Sequence, residues 1–121
     1  MNIDFDIYQK EAHTTADYPA PEMFSEGHNS YEMNYVYPAL GLAEEAGEVA
    51  GKFAKAVRDN NGVIDEDRKR EIKKELGDVL WFVAELCTCL DTSLKEVAEL
   101  NLLKLASRKQ RGVLHGSGDN R

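Results

Sequence analysis

Two short motifs in the chain each place two carboxylates three residues apart. The first is Glu45-Ala-Gly-Glu48, and the second, 30 residues later, is Glu75-Leu-Gly-Asp78. On an α-helix, residues three apart lie on neighbouring turns of one face. If the motifs lie on paired antiparallel helices, four carboxylates converge and repel one another unless a cation lies between them. Oxygen ligands favour a hard divalent cation such as Mg²⁺, Mn²⁺ or Ca²⁺.

Helical periodicity indicates the two elements that must position these acids. The first apolar stripe consists of Leu42, Ala46, Val49, Ala50, Phe53 and Val57. The second stripe consists of Ile72, Leu76, Val79, Leu80, Val83, Leu86 and Leu90. At 100° per residue, the two acids of each motif take the same angles relative to their stripe. The motifs are therefore an internal helix repeat rather than two unrelated acidic spots.

The position of the acids is also compatible with an ordinary solvent-exposed face. Glu48 and Lys52 could form a surface ion pair there, worth about 0.2–0.5 kcal/mol. Gly47 and Gly77, each between the two acids of its motif, favour a different interpretation. Glycine costs about 1 kcal/mol relative to alanine inside a helix. Its use twice at one repeat position predicts a close approach of another backbone.

A redox-active di-iron centre is the competing hypothesis for a carboxylate bundle. Such a centre expects a Glu-x-x-His motif on two helices. The three histidines, His13, His28 and His115, lie outside both predicted helices. Cys87 and Cys89 point to different faces of the second helix, so we expect reduced residues rather than a disulfide or shared metal site. A hard-metal site therefore fits the sequence better than a redox site.

The whole chain is predicted to be one all-α domain over residues 1–121. The predicted helices cover residues 4 to about 16, about 38–59, about 65–90 and 93 to about 108. Ser93-Leu-Lys-Glu96 matches a capping box at the start of the last helix. A loop over residues 16–30 and a polar tail over residues 112–121 complete the chain. We predict a four-helix bundle with a flexible C-terminal tail.

Charge and hydropathy exclude several classes of partner. The formal net charge of −7 argues against a protein that coats nucleic acid. The chain begins without a basic or apolar leader, and its longest apolar stretch, residues 79–84, is too short to span a bilayer. We expect a cytoplasmic protein that binds neither nucleic acid nor membrane. Residues 101–121 are nevertheless basic, which suits a small anion.

Taken together, the motifs resemble those of the MazG-like all-α nucleoside triphosphate pyrophosphohydrolases of the single-domain bacterial or phage type. The resemblance covers about residues 37–121. It rests on Glu45-x-x-Glu48, then 26 residues, then Glu75-x-x-Asp78, and on Asn101-x-x-Lys104-x-x-x-Arg108. It implies hydrolysis of a nucleoside triphosphate to the monophosphate and pyrophosphate with Mg²⁺, or with Mn²⁺ in its place. Such an activity serves house-cleaning of the nucleotide pool.

The resemblance also implies roles for particular residues. By position, the catalytic residues and metal ligands would be Glu45, Glu48, Glu75 and Asp78, and the phosphate-binding residues would be Lys104 and Arg108. Phe82 lies on the acidic side of its helix and is the candidate for stacking on the base. The other base candidates are Tyr35, Tyr37, His28 and Trp81, of which Trp81 is expected in the core or a subunit interface. Relatives imply a homodimer or homotetramer, whose paired helices could complete each site from two chains.

Two other functions stay open at this point. One is a non-catalytic regulator that binds a nucleotide or metal on the same scaffold. The other is a phosphoribosyl-ATP pyrophosphohydrolase. The sequence also leaves open the preferred base, the general base among the carboxylates, the number of metal ions and whether the tail closes over the site.

Overall fold

The computed structural model describes residues 2–18 and 35–119, which contain four helices. They are α1 (Phe5–His13), α2 (Val36–Asp59), α3 (Glu66–Cys89) and α4 (Leu94–Gln110). No strand occurs in these two ranges, so the predicted all-α fold of four helices is confirmed. Most of the predicted loop over residues 16–30, with His28, lies outside the described residues. Among the described helices, none has the length and apolar character needed to cross a bilayer.

Side-chain caps begin three of the four helices. The capping oxygens of Asp4, Asp65 and Ser93 accept hydrogen bonds of 2.8, 2.8 and 3.0 Å from the backbone N–H three residues further on. Each bond satisfies a first-turn N–H that has no partner inside the helix. After α2 the chain reverses at Asn61 and Gly62, whose φ angles are 50° and 79°. This short turn brings α3 directly back along α2.

The helices α2 and α3 form an antiparallel hairpin whose contact line contains the acidic motifs. Carboxylate oxygens of Glu45 on α2 and Asp78 on α3 approach each other within 4.8 Å. One turn earlier on α2, Gly41 lies against Phe82, which is one turn later on α3. Glu45 and Asp78 therefore face each other across the hairpin, and Asp78 is also exposed to solvent. The predicted pairing of the two motifs on antiparallel helices is confirmed.

Much of the two apolar stripes lies on the outside of this hairpin, although Ile72 is buried and Val83 packs against buried residues of the core. On each helix the stripe is about 120° around from the contact line, at 100° per residue. On both helices the stripe is rotated away from the contact line in the same sense, viewed along the chain direction. Because the two helices are antiparallel, both stripes then fall on one side of the hairpin. Phe53 is 46% exposed and Val57 is 70% exposed there, and Leu76 and Leu80 of α3 are also exposed. An apolar stripe normally faces a core, so this side of the hairpin lacks a cover within the described chain.

A small core forms where α1 meets α3 and α4. It contains Ala12, Ala84, Cys87 and Leu94, with Tyr8, Trp81 and Val83 packed against it. Burial raises the pKa of the Cys87 thiol, which agrees with its predicted role as a reduced core residue. Burial of these side chains is what fastens α1 to the rest of the fold.

The path of α1 defines the direction of α4. Gln9 donates to Thr88 near the end of α3 at 3.1 Å and accepts from the backbone N–H of Leu94, the first residue of α4, at 2.7 Å. Further toward the start of α1, residues 4–6 line a cleft with Leu102 in the middle of α4. α1 is thus antiparallel to the end of α3 and also to the first half of α4. It follows that α4 continues in roughly the direction of α3 instead of folding back along it.

Eight of the 17 residues of α4 are apolar, and six of these are exposed. Leu94 and Arg108 are its buried residues, whereas Leu100, Leu102 and Leu103 are exposed. A helix that is apolar around most of its circumference is normally buried. Its surface therefore adds to the uncovered apolar side of the α2–α3 hairpin.

Candidate functional site

Three carboxylates meet halfway along the α2–α3 hairpin. Glu45, Glu75 and Asp78 each offer one oxygen, and these three oxygens all lie within 4.8 Å of one another. Glu45 and Glu75 are half-buried and Asp78 is exposed. We call this group the carboxylate triad. The helix pairing brings its members together because two of them are three residues apart on α3 and the third lies opposite on α2.

The electrostatics of the triad show an excess of negative charge. Burial raises the pKa of Glu45, and the nearby charges of Asp78 and Glu75 raise it further, with smaller contributions from Glu44 and Glu48. Like charges within a few ångströms of each other disfavour the ionised form. The triad therefore destabilises the fold at neutral pH when no cation is bound, and this part of the stability returns as pH falls through the pKa of Glu45.

Glu48 is the fourth predicted ligand, and it is not part of the triad. It lies on the same face of α2 as Glu45, one turn further on, and its charge contributes to the raised pKa of Glu45. Its side chain is exposed. The structure thus brings three of the four predicted ligands together and leaves Glu48 at the edge of the group.

Lys52 neutralises part of the triad, which the sequence did not predict. Its Nζ lies 3.0 Å from Glu75 and 3.9 Å from Glu71, so it reaches across to α3 instead of pairing along α2 with Glu48. The hydrogen bond to Glu75 is the largest effect that raises the pKa of Lys52, against a smaller opposing effect of burial. The stabilisation from this pair is therefore fully present at neutral pH and is lost only as pH rises through the pKa of Lys52.

Replacing Lys52 with methionine should make the fold more dependent on a divalent cation. The change keeps an unbranched apolar stem but removes the charge that holds Glu75. We expect a lower Tm without metal and a larger rise of Tm on addition of Mg²⁺ than in the wild-type protein, measured by thermal unfolding. Lys55→Met, an exposed position on the same helix, is the control. An equal metal-induced rise in all three proteins would contradict this role of Lys52.

A cleft of about 350 Å³ opens beside the triad. It is lined by Thr15, Glu45, Asp78, Trp81 and Phe82. Phe82 reaches this position because α2 has glycine opposite it: a Cβ at Gly41 would overlap the phenyl ring. The cleft thus has acidic groups at one side and aromatic rings at the other. Its volume falls within the range of about 300–1,000 Å³ that is usual for small-ligand pockets.

The close backbone approach predicted at Gly47 and Gly77 is wrong. A Cβ at either position would meet no described atom within 4 Å. The close approach occurs instead at Gly41, which the sequence did not single out, because the contact depends on the Phe82 ring of the facing helix. Within the described chain, Gly47 and Gly77 are simply exposed.

The aromatic base candidates are partly reassigned by the structure. Trp81 packs against the small core, as the sequence predicted, and it also lines the cleft and packs edge-on against Phe82 with ring centroids 4.9 Å apart. Tyr37 stacks on Tyr18 at 4.9 Å and lies 6.0 Å from Phe82. Tyr35 is exposed. Phe82 stays the best placed ring, because it adjoins both the triad and the cleft.

The segment that follows α1 is fastened to α3 by contacts that the sequence did not predict. Glu85 is fully buried, and both its carboxylate oxygens lie 3.2 Å from Nδ1 of His13. Tyr18 donates to the same carboxylate at 3.3 Å, and its burial raises the pKa of the Tyr18 phenol. Trp81 Nε1 donates to the hydroxyl of Thr15 at 2.8 Å. These bonds hold Thr15 at the wall of the cleft.

The predicted phosphate-binding pair lies far from the triad within one chain. Because α4 continues beyond α3, a rise of 1.5 Å per residue separates Lys104 from Asp78 by roughly 25–30 Å. Both basic groups contact the tail instead: Asp119 Oδ1 lies 3.6 Å from Lys104 Nζ and 3.3 Å from Arg108 Nη2. The Nε of Arg108 is buried and has no hydrogen-bond partner among the described residues. The phosphate role of Lys104 and Arg108 stays a prediction.

The chemistry of the triad fits a hard divalent cation. Its ligand atoms are carboxylate oxygens, which are the donors that Mg²⁺ and Mn²⁺ prefer. The described residues place no histidine or cysteine ligand among them, so a soft-metal or haem-like site has no support here. A cation would also relieve the repulsion that raises the pKa of Glu45.

Comparisons with known proteins agree with this geometry. Residues 38–113 match the family model described as the MazG nucleotide pyrophosphohydrolase domain. The Gene 37 protein of Mycobacterium phage L5 is 47% identical over 116 residues, which cover 96% of this chain and 97% of the phage protein. No solved structure matches the chain. The family match contains both carboxylate motifs and the Lys104–Arg108 pair, and it excludes α1 and Thr15.

Proposed function

The chain belongs to the MazG nucleotide pyrophosphohydrolase family, and on that premise we propose that it hydrolyses a nucleoside triphosphate to the monophosphate and pyrophosphate with Mg²⁺. The observation that carries the proposal is the carboxylate triad beside a cleft with aromatic walls. Mn²⁺, which has similar ligand preferences, is expected to replace Mg²⁺. Free nucleotides are cytoplasmic substrates, which agrees with the location expected from the sequence.

In this proposal the acids of the hairpin hold the cation and the attacking water. Glu45, Glu75 and Asp78 are the ligands, and Glu48 joins them when the cation replaces Lys52 as the partner of Glu75. A bound Mg²⁺ supplies positive charge to the phosphate oxygens and makes water a better nucleophile. A carboxylate within hydrogen-bond reach of the water accepts its proton. The bond that breaks joins the α-phosphate to the pyrophosphate leaving group.

The aromatic side of the cleft is proposed to bind the base. Phe82 is one helical turn from Asp78, so a base stacked on its ring places the sugar and phosphates toward the triad. Trp81 closes the same side with its ring edge-on to Phe82. Stacking on an aromatic face contributes about 1–3 kcal/mol per base and accepts every base, because every base has a π-face.

We further propose that each site is completed by a second copy of the chain. Lys104 and Arg108 lie too far from the triad to reach the same triphosphate in one chain. They lie on the face of α4 that also carries Val97 and Leu100, and Lys104 shares a cleft with these two residues. A partner chain that covers the apolar side of the hairpin with its α4 would carry the basic pair toward the phosphates. This arrangement buries apolar surface and neutralises the triphosphate in one contact.

The exposed apolar side of the hairpin also supports the homodimer or homotetramer expected from the sequence. Phe53→Glu places a charge in the middle of the exposed apolar side and should lower the molar mass measured by light scattering at micromolar concentration, together with turnover. Lys74→Glu, at the opposite side of α3, is the control and should leave the mass unchanged. A wild-type protein that is monomeric at this concentration would contradict the proposal.

The experiment that tests the enzymatic function is pyrophosphate release from a panel of ribo- and deoxynucleoside triphosphates. The proposal expects release with Mg²⁺ or Mn²⁺ and none with a chelator. A phosphoribosyl-ATP substrate belongs in the panel, because the family resemblance also covers that activity. Tight binding of a nucleotide without any turnover would favour the non-catalytic regulator instead.

A further inference from the structure

We propose that the hydroxyl of Thr15 selects nucleotides whose base carries an exocyclic amino group at the position facing it, namely cytosine and adenine, over the keto bases uracil and hypoxanthine. The inference rests on the proposed function, since it takes the cleft beside the triad as the base site. Thr15 lies outside the residues that match the family. The selection is therefore argued from this chain alone.

The hydrogen bonds of Thr15 leave its hydroxyl able to accept one hydrogen bond from a ligand. Its hydroxyl donates its single proton to the backbone oxygen of Ala12 at 2.7 Å. The hydroxyl oxygen of Thr15 also accepts a hydrogen bond from Nε1 of Trp81 at 2.8 Å. A hydroxyl has one proton and two lone pairs. One lone pair of Thr15 is thus left, and toward a ligand in the cleft the hydroxyl is an acceptor and not a donor.

The other described groups that line the cleft add no donor. The indole N–H of Trp81 is committed to Thr15 and Ala12, and Phe82 is apolar. Glu45 and Asp78 hold the cation in the proposed function, and as carboxylates they have no N–H or O–H to donate. The lining thus offers aromatic faces, acceptor oxygens and no unengaged N–H or O–H. A keto oxygen directed at this wall would meet oxygens, whereas an amino group directed at it would donate to Thr15.

Two pairs of bases differ in this group and in the protonation of the adjacent ring nitrogen. Cytosine carries an amino group at the position where uracil carries an oxygen, and adenine and hypoxanthine differ in the same way. Uracil still has an N–H between its two carbonyl oxygens, but to use it the base must turn both oxygens toward the described lining, which offers no unengaged donor. A neutral hydrogen bond gained or lost corresponds to a discrimination of roughly five- to tenfold at a solvent-accessible site.

The bond network gives Thr15 a fixed position, which selection requires. Ala12 belongs to the buried core, and its oxygen receives the Thr15 proton. The Glu85 carboxylate also contacts His13 and Tyr18, which precede and follow Thr15 in the chain. The hydroxyl is therefore held from both directions. A serine at position 15 keeps the hydroxyl and its bonds, and a valine keeps the shape without them.

The test is the ratio of kcat/KM for dCTP over dUTP and for ATP over ITP, in the wild-type protein, Thr15→Val and Thr15→Ser. We expect roughly five- to tenfold preference for the amino base in both pairs in the wild type, retention in Thr15→Ser and ratios near one in Thr15→Val. A merely structural role would lower turnover of all four nucleotides equally and leave the ratios unchanged, which would overturn the inference.

Equilibrium binding separates this inference from the proposed function. The dissociation constants of the same four nucleotides, measured with Ca²⁺ and each protein, give the same ratios without turnover. A Thr15-dependent preference in binding with no hydrolysis would support the selection and overturn the enzymatic function. Hydrolysis with equal ratios in the wild type would support the enzymatic function and overturn the selection by Thr15.

Discussion

Asp78→Asn should lower kcat/KM by about 10³-fold or more, equivalent to about 4 kcal/mol of transition-state stabilisation, while leaving Tm the same or higher in the absence of metal. The loss follows because asparagine removes one of three anionic oxygens from the proposed cation site. The unchanged or raised Tm follows because the substitution removes one of the charges that repel Glu45. The opposite signs of the two effects separate a site residue from a residue needed for folding.

The measurement combines pyrophosphate release with thermal unfolding for Asp78→Asn and Glu45→Gln. Both variants should also lose most of the metal-induced rise in Tm. Glu99→Gln, an exposed acid on α4, is the matched control and should keep wild-type turnover. Turnover of Asp78→Asn within a factor of two of the wild type would remove this residue from the site. The turnover of Glu48→Gln is expected to fall less than that of Asp78→Asn, because Glu48 lies at the edge of the triad.

A mixture of two inactive variants should regain activity if two chains share each site. In Asp78→Asn the triad is defective, and in Arg108→Ala the basic pair is defective. When the two are mixed in equal amounts and exchange subunits, one composite site in four takes Asp78 from one chain and Arg108 from the other, both intact. The expected activity is therefore roughly a quarter of wild type in any symmetric dimer or tetramer with such shared sites.

If each site is formed by a single chain, the expected activity of the mixture is different. If Arg108 served the triad of its own chain, every site of the mixture would carry one of the two substitutions, and the mixture would be no more active than the better variant. Arg108→Ala alone should lose activity mainly through a weaker interaction with phosphate, whereas Asp78→Asn alone should lose it through the defective cation site. Unmixed variants passed through the same exchange step are the controls.

The sequence was sufficient for the helices and for the pairing of the acidic motifs. Period and capping residues are local, so the four helices could be read from them. The equal angles of the two motifs predicted that they would meet, and Glu45 and Asp78 do so. What periodicity could not predict is the cover of the apolar stripes. Phe53 and Val57 are exposed among the described residues, and the period of a helix does not identify the surface that would cover them.

The details of the site depend on contacts between residues distant in the chain. From the sequence, Lys52 could pair with Glu48 on its own helix. Its ion pair with Glu75 depends on the position of α3. The contacts of Thr15 with Trp81 and of His13 with Glu85 join residues more than 60 positions apart. No spacing rule on one helix predicts them. The same holds for Gly41, whose small size matters because of a ring on the facing helix.

The most direct test of the central claim is to identify both products formed from one nucleoside triphosphate in the presence of Mg²⁺. The carboxylate triad and the family membership predict equal amounts of nucleoside monophosphate and pyrophosphate from the wild-type protein, and both products at a rate lower by about 10³-fold or more from Asp78→Asn. Formation of nucleoside diphosphate and inorganic phosphate, or recovery of the intact nucleotide from every member of the panel, would contradict the account.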